Sequence, residues 1–141
     1  MPRKTEPPPR EQTANLAAEF LVASYLIRLG YVVTLTLGQT KEIDLIAIGP
    51  RGRSVTIDVK GLKNKTNWPM RPVRPRRNHF FIFVSFLTRF HDLAAQPDVF
   101  IVPSSQLSRV LGRWTGRPEQ RAVAYRRLRD SRFRSAWDLM A

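Results

Sequence analysis

Two aspartates and a lysine are spaced so that they could support metal-assisted phosphodiester hydrolysis. Asp44, Asp58 and Lys60 lie on two short apolar runs, KEIDLIAI and SVTIDVK, which flank the turn GPRGR. Such runs around a Gly/Pro turn predict a β-hairpin. Residues two apart in a strand share a face, so Asp58 and Lys60 point the same way, and the hairpin brings Asp44 towards them. Carboxylates that converge beside a lysine are what this chemistry requires.

The same residues resemble a known signature. Asp44, a second strand and the triplet 58–60 (Asp-Val-Lys) resemble the D…(D/E)-x-K pattern of the PD-(D/E)XK nuclease superfamily, with Ile43 in place of its proline. Members often add a glutamate on the first helix, and Glu19 is the matching residue. The resemblance spans roughly the first hundred residues, and the order of elements is its main support. Within the superfamily, the chain is similar to restriction-endonuclease-like and Holliday-junction-resolvase-like members, many of which form homodimers.

The resemblance implies a set of metal ligands and catalytic residues. Mg²⁺ (or Mn²⁺) prefers oxygen ligands, so Asp44 and Asp58 would bind it together with the backbone carbonyl of Val59. Lys60 would orient or activate the attacking water, with Glu19 facing the site directly or through a water. Glu42 is either a third ligand or the first residue of its strand. The alternative is a set of solvent-facing charges in which Asp58 and Lys60 form a weak ion pair.

The composition favours a polyanionic partner. The 141 residues suit one domain, and 24 Lys+Arg against 11 Asp+Glu give a net charge of +13 and a pI near 11.5. Between residues 20 and 91 the acidic residues are Glu42, Asp44 and Asp58, all at the motif. Nucleic acid, with DNA first, is the expected partner, and an anionic membrane surface is second. The chain contains no cysteine, no membrane-spanning apolar run and no secretory h-region, so we expect a cytoplasmic protein.

The hydrophobic pattern predicts an α/β (α+β) fold. We expect a flexible tail over residues 1–11 and a single domain over 12–141. That domain should begin with a helix over 13–29, whose apolar stripe is Leu16, Phe20, Ala23 and Ile27. Strands are expected at 31–37, 43–48, 54–60, 80–86 and 98–102, the first three as an antiparallel meander in a mixed sheet. An Arg-rich helical part should follow over 104–141, with a short helix capped by a serine at 104 or 105 and a further helix at 120–129.

Basic residues dominate two segments that we expect to bind nucleic acid. Residues 61–79 carry three prolines and six Lys/Arg, which excludes a regular helix or a central strand where the superfamily core places a helix. Trp68 in this loop either stacks on a base or anchors the loop to the body. Nine arginines follow between residues 109 and 134. The expected phosphate contacts are Lys63, Lys65, Arg71, Arg74, Arg76, Arg77, Arg126 and Arg127.

Three functions remain open at this point. The first is a metal-dependent endonuclease, the second a nucleic-acid-binding module that keeps the fold without the chemistry, and the third a basic structural protein of a nucleoprotein or membrane complex. His79 and His91 are alternative general bases, although surface or capping roles are the more common ones for isolated histidines. Dependence of cleavage on a divalent metal separates the first function from the others. Salt dependence of binding separates nucleic-acid binding from mere basicity.

Overall fold

The structure is a computed structural model that describes residues 10–36, 43–114 and 116–141. Residues 1–9 of the predicted tail lie outside the described residues. Residues 10 and 11, which the prediction also places in the tail, belong to the first helix. The elements are, in order, α1 (Arg10–Arg28), β1 (Val32–Leu35), β2 (Leu45–Ile48), β3 (Ser54–Leu62), β4 (Asn67–Met70), β5 (His79–Ser85), β6 (Asp98–Pro103), a 3-10 helix (Ser104–Arg109), β7 (Leu111–Trp114), β8 (Arg117–Ala124), α2 (Tyr125–Arg129) and a second 3-10 helix (Trp137–Met140).

The larger sheet has five strands in the order β1-β2-β3-β5-β6. Strands β1, β2 and β3 form the predicted antiparallel meander, in which Leu45 lies opposite Ile57. Strand β3 then pairs in parallel with β5, which pairs antiparallel with β6. The chain between β3 and β5 contains no α-helix, as its prolines predict. The mixed α+β architecture predicted from the hydrophobic pattern is therefore confirmed.

Helix α1 covers one face of this sheet, and its phase differs from the predicted one. Of the predicted stripe, Ala23 is buried as expected, but Leu16, Phe20 and Ile27 are each more than half exposed. Ala18 and Val22 are fully buried instead. The sheet selects the side with small residues because alanines let the helix approach the strands closely, which a row of large side chains would prevent. Against it lie alternate residues of β2, β3 and β5, which form the first hydrophobic core. None of the helices in the described residues, α1 included, is long and apolar enough to cross a membrane.

A three-stranded antiparallel sheet, in the order β4-β8-β7, packs over the opposite face at β5 and β6. It forms a second core in which Trp68 contacts the rings of Phe83 and Phe100. The same face of β1 and β2 stays open, since Val32, Ile46 and Ile48 are exposed. The second sheet therefore covers only half of the larger one and leaves a flat surface beside β3.

The second sheet corrects two predictions, one about residues 120–129 and one about residues 61–79. Residues 120–124 belong to strand β8 rather than to a helix, and only Tyr125–Arg129 is α-helical there. The residues of β8 favour a helix locally, but pairing with β4 and β7 on both sides overrides that preference. Residues 61–79 are not a continuous loop, since they include the end of β3 and all of β4. Pro69 is tolerated in β4 because β4 is an edge strand.

Candidate active site

The side chain of Asp44 is fixed where β2 begins. The backbone N–H of Asp44 donates to the carbonyl of Ile57 (2.9 Å), and its Oδ2 accepts from the N–H of Val59 (2.7 Å). The N–H of Thr36 donates to the Asp44 carbonyl (3.0 Å). The carboxylate thus accepts a hydrogen bond from β3, as the backbone carbonyl of a paired strand would. This bond holds the side chain in one orientation. Only 8% of the residue is exposed.

Asp58 and Lys60 lie on the same face of β3, as the strand prediction requires. The Nζ of Lys60 is 3.3 Å from Oδ1 of Asp58, and their side chains are 32% and 19% exposed respectively. On this face of the larger sheet, β4 packs over β5 and β6. The same face stays open beside β2. The ion pair therefore lies at the border between the second core and the flat open surface, where a large substrate can reach it.

The two aspartates interact with each other as well as with the lysine. Burial raises the pKa of Asp58 to about 6; the Lys60 ammonium opposes this rise, and the charge of Asp44 and a hydrogen bond with its carboxyl group add to it. Two carboxyl groups within hydrogen-bonding distance of each other cannot both ionise without cost. The site thus concentrates negative charge that one lysine only partly offsets.

This charge distribution fits a divalent cation. Oxygen donors from two carboxylates suit Mg²⁺ or Mn²⁺, whose charge would offset the repulsion from Asp44 that adds to the effect of burial on the Asp58 pKa. The carbonyl of Val59 lies on the strand between Asp58 and Lys60. Within residues 10–36, 43–114 and 116–141, no group of three or more His, Asp or Glu is arranged to hold a metal. The donors that this part of the chain offers are therefore the two aspartates and backbone oxygen, with water or substrate to complete the coordination.

Helix α1 approaches β3 very closely at the residue after Lys60. Gly61 donates its N–H to Oδ1 of Asn15 (2.7 Å). A Cβ on Gly61 would lie 2.6 Å from the carbonyl carbon of Ala14 and 2.9 Å from the nitrogen of Asn15, closer than atoms can pack. Sequence reasoning missed both Asn15 and Gly61. The signal available was a glycine directly after Lys60, because glycine in a strand often marks a close backbone approach.

Glu19 lies one helical turn beyond Asn15, on the flank of α1 that faces the sheet, and is 7% exposed. Its burial alone does not show whether it faces the site, directly or through a water, as predicted. The structure does not join Glu19 with Asp44 and Asp58 in a three-carboxylate group, so its catalytic role stays a prediction. Glu42 lies outside the described residues.

Most of the predicted phosphate-binding side chains are exposed. Arg71, Arg74, Arg76 and Arg77 belong to a fully exposed stretch over 71–78, and none of these four forms an ion pair within the described residues. Lys65, Arg126 and Arg127 are exposed as well. Lys63 is half-buried, and its Nζ lies 4.6 Å from the centre of the Phe90 ring.

Trp68 has no surface available for stacking on a base. It is 1% exposed, and its Nε1–H donates to the carbonyl of Val84 (3.3 Å). Assigning it to the nucleic-acid-binding set was therefore wrong, and the alternative, that it anchors the segment to the body, is confirmed. The physical reason is that β4 places it between the two sheets, where it contacts Phe83, Phe100 and Tyr125.

Neither histidine is placed as a general base. His79 is buried, its Nδ1 lies 2.7 Å from Oγ1 of Thr56, and the edge of its ring meets Phe81. Burial, assisted by the charge of Arg76, lowers the pKa of His79 to about 4. His91 is exposed beside Phe90. The expectation of a surface position holds for His91 and is wrong for His79, which is a core residue.

Comparison with known proteins supports the fold. No family model and no curated protein matches the sequence. Among solved structures, the chain is similar to that of the bacterial homing endonuclease I-Ssp6803I, with a TM-score of 0.60 and 16% sequence identity. The similarity covers 94% of this chain and 93% of the other. It therefore spans almost the whole chain instead of only the hairpin that carries the aspartates.

Proposed function

We propose that this protein is a metal-dependent endonuclease of the PD-(D/E)XK type that hydrolyses phosphodiester bonds of DNA. The observation that carries the proposal is the Asp44 carboxylate held 2.7 Å from the N–H of Val59, the residue between Asp58 and Lys60, with the Lys60 ammonium 3.3 Å from Asp58, beside an open sheet face. The fold similarity to a homing endonuclease supports it independently. The net charge of +13 supports a polyanionic substrate.

Each residue of the site has a role that follows from its position. Asp44, Asp58 and the Val59 carbonyl would hold Mg²⁺ or Mn²⁺, which would supply charge stabilisation and an activated water when bound. Asp44 is fixed by the N–H of Val59, so it needs little reorganisation to bind a cation. Lys60 is paired with Asp58 in the structure and can turn its ammonium towards a scissile phosphate, where it would orient the attacking water and offset developing negative charge.

Basic segments lie at both ends of β3, with the aspartate and lysine between them. The stretch with four exposed arginines ends at Asn78, whose carbonyl accepts from the N–H of Thr56 (2.9 Å), two residues before Asp58. Lys63 and Lys65 follow the other end of the strand. A nucleic-acid backbone that runs along β3 would therefore meet positive charge before and after the site.

The direct test is cleavage of linear, circular, single-stranded and branched DNA with Mg²⁺, with Mn²⁺ and with EDTA. We expect metal-dependent cleavage, and cleavage that persists in EDTA would contradict the proposal. Asp58→Asn should lose Mn²⁺ affinity, measured by calorimetry, together with cleavage. The matched control is Asp130→Asn, since Asp130 is an exposed aspartate paired with Arg129 outside the site. It should cleave and bind metal as the wild type does.

Lys60→Ala separates metal binding from chemistry. Both carboxylates remain, so Mn²⁺ affinity should stay near the wild-type value, whereas cleavage should fall by roughly 10²- to 10⁴-fold. Normal cleavage by this variant would mean that the hairpin charges are structural.

The second candidate is a binding module with the same fold and no catalysis. The exposed arginines of residues 71–77 favour this candidate, because they can bind phosphate without any catalysis. DNA affinity without cleavage under every metal condition, and without calorimetric Mn²⁺ binding, would select it over the nuclease.

A further inference from the structure

Residues 71–77, here called the arginine arm, contain no helix or strand and lead into a turn at residues 77 and 78. Pro72 and Pro75 fix their own φ angles and also exclude helical geometry for Arg71 and Arg74, which precede them. The described residues of the arm have no positive φ angle and no strand partner, and all are exposed. The two prolines favour a polyproline-type backbone over residues 71–75. In such a chain every third residue points the same way, so Arg71 and Arg74 would share one side at a spacing of about 9 Å.

The arm is held at both ends. Before it, the carbonyl of Met70 accepts from Nε2 of Gln120 (3.1 Å). Towards its end, Oγ of Ser104 accepts from the N–H of Arg76 (2.9 Å) and donates to the carbonyl of the same residue (2.8 Å). After it, Oδ1 of Asn78 accepts from the guanidinium of Arg53 (2.9 Å). These contacts fix the backbone and leave the arginine side chains in solvent, which lowers the entropy cost of binding.

We propose that the arginine arm enters the minor groove of DNA and gives this protein a preference for A·T-rich sequence beside the cleavage site. The proposal rests on the nuclease function proposed above and goes beyond backbone contact. The minor groove is about 6 Å wide and admits an extended chain rather than a helix or a two-stranded ribbon. Narrow A·T-rich grooves carry enhanced negative potential, which attracts arginine. Arg71 and Arg74 are exposed and form no ion pair within the described residues, so both guanidinium groups are available for this contact.

The position of the arm relative to Asp58 sets where the preference should appear. Asn78 bonds to Thr56, which lies two residues, or roughly 7 Å, before Asp58 on the same face. Arg74 lies four residues before Asn78, and the chain turns at residues 77 and 78, so this segment adds at most about 12 Å. The preferred A·T pairs should therefore lie within about six base pairs of the cut, since duplex DNA rises about 3.4 Å per pair.

The test is the affinity of the full chain for three duplexes of equal length, rich in A·T, G·C or inosine·C pairs, measured in EDTA at one salt concentration. Inosine presents the major-groove edge of guanine but lacks its minor-groove amino group. Minor-groove binding therefore predicts that inosine·C behaves like A·T, with an affinity on the order of tenfold above that of G·C. Arginine reading guanine in the major groove would make inosine·C behave like G·C and would overturn the proposal.

The variant Arg71→Gln/Arg74→Gln should lose this preference. Both residues are exposed, so the variant should fold, which circular dichroism and the melting temperature would check. Arg28→Gln is the control, since Arg28 is an exposed arginine in the last turn of α1, and it should keep the preference. Because binding is measured without metal, preference without cleavage would refute only the nuclease function, and cleavage without preference would refute only the arm. Equal affinity of the wild type and the arm variant for every duplex would overturn the proposal. The segment Pro72-Val-Arg-Pro75 would then fit recognition by an aromatic-lined groove of a partner protein.

Discussion

Replacing Gly61 by alanine should loosen the docking of α1 on β3. A Cβ at this position would lie 2.6 Å from the carbonyl carbon of Ala14, whereas carbon atoms pack at about 3.5–4.0 Å, so the helix must retreat by about 1 Å. The contact is with backbone and not with a flexible side chain, so no local rotation relieves it. The same movement stretches the 2.7 Å hydrogen bond from Gly61 to Asn15 beyond bonding distance.

The two effects together give the expected size of the change. Overpacking a tight contact costs about 1–3 kcal/mol, and the lost hydrogen bond costs about 1 kcal/mol more. The free energy of unfolding should therefore fall by about 2–4 kcal/mol, and the melting temperature by about 10 °C. Because Gly61 follows Lys60 and α1 carries Glu19, cleavage should fall as well in the protein that remains folded.

Urea unfolding of Gly61→Ala beside Gly112→Ala is the assay. Both glycines lie in strands and neither has a positive φ, but a Cβ at Gly112 would meet only the carbonyl oxygen of Ala122 at 3.8 Å, an ordinary contact. Gly112→Ala should thus be near-neutral. Equal stability of the two variants would refute the close approach of α1 to β3 at Gly61.

Three further predictions concern pH, the second core and salt. The pKa of His79 is lowered from 6.5 to about 4 in the folded protein, so its contribution of about 3 kcal/mol is present above pH 6.5 and is lost as the pH falls towards 4. Urea unfolding at pH 7 and pH 4 should show this loss in the wild type and a smaller one in His79→Gln; an identical pH dependence would contradict it. Trp68→Phe should lower the unfolding free energy by about 1–2 kcal/mol and leave DNA affinity unchanged, and a loss of affinity in the folded variant would restore the stacking role. In filter-binding titrations, Arg74→Gln should reduce the slope of log affinity against log salt concentration by about 1, whereas the control Arg28→Gln should leave this slope unchanged. Equal slopes for Arg74→Gln and the wild type would show that Arg74 does not contact phosphate.

The sequence by itself determined the hairpin and which of its charged residues share a face. Alternation of two residues is a local property, so Asp58 and Lys60 could be placed on one face of a strand without knowledge of the rest of the chain. The Gly/Pro turn between two apolar runs was enough to bring Asp44 towards them. The five strands of the larger sheet were predicted for the same reason, because each is a short β-branched or aromatic run bounded by turn residues.

The tertiary structure alone decided which side of α1 is buried. Leu16, Phe20 and Ile27 form a stripe as apolar as the buried one, so periodicity could not distinguish the two sides. The choice depends on Gly61, where β3 offers room for the backbone of α1 and for nothing larger. That information lies more than forty residues away in the chain.

Tertiary pairing also decided that residues 120–124 form a strand of the second sheet and that Trp68 is buried. Residues 120–124 favour a helix by composition, and a tryptophan in a basic, proline-rich segment suggests base stacking. Pairing of β4 with β8 places Trp68 opposite Val123 and holds residues 121–124 in a strand. The buried apolar area and the hydrogen bonds between the strands outweigh the local preference of each segment. A pattern read along the chain shows what one strand can present, but only a partner strand determines whether that side chain meets solvent or the core.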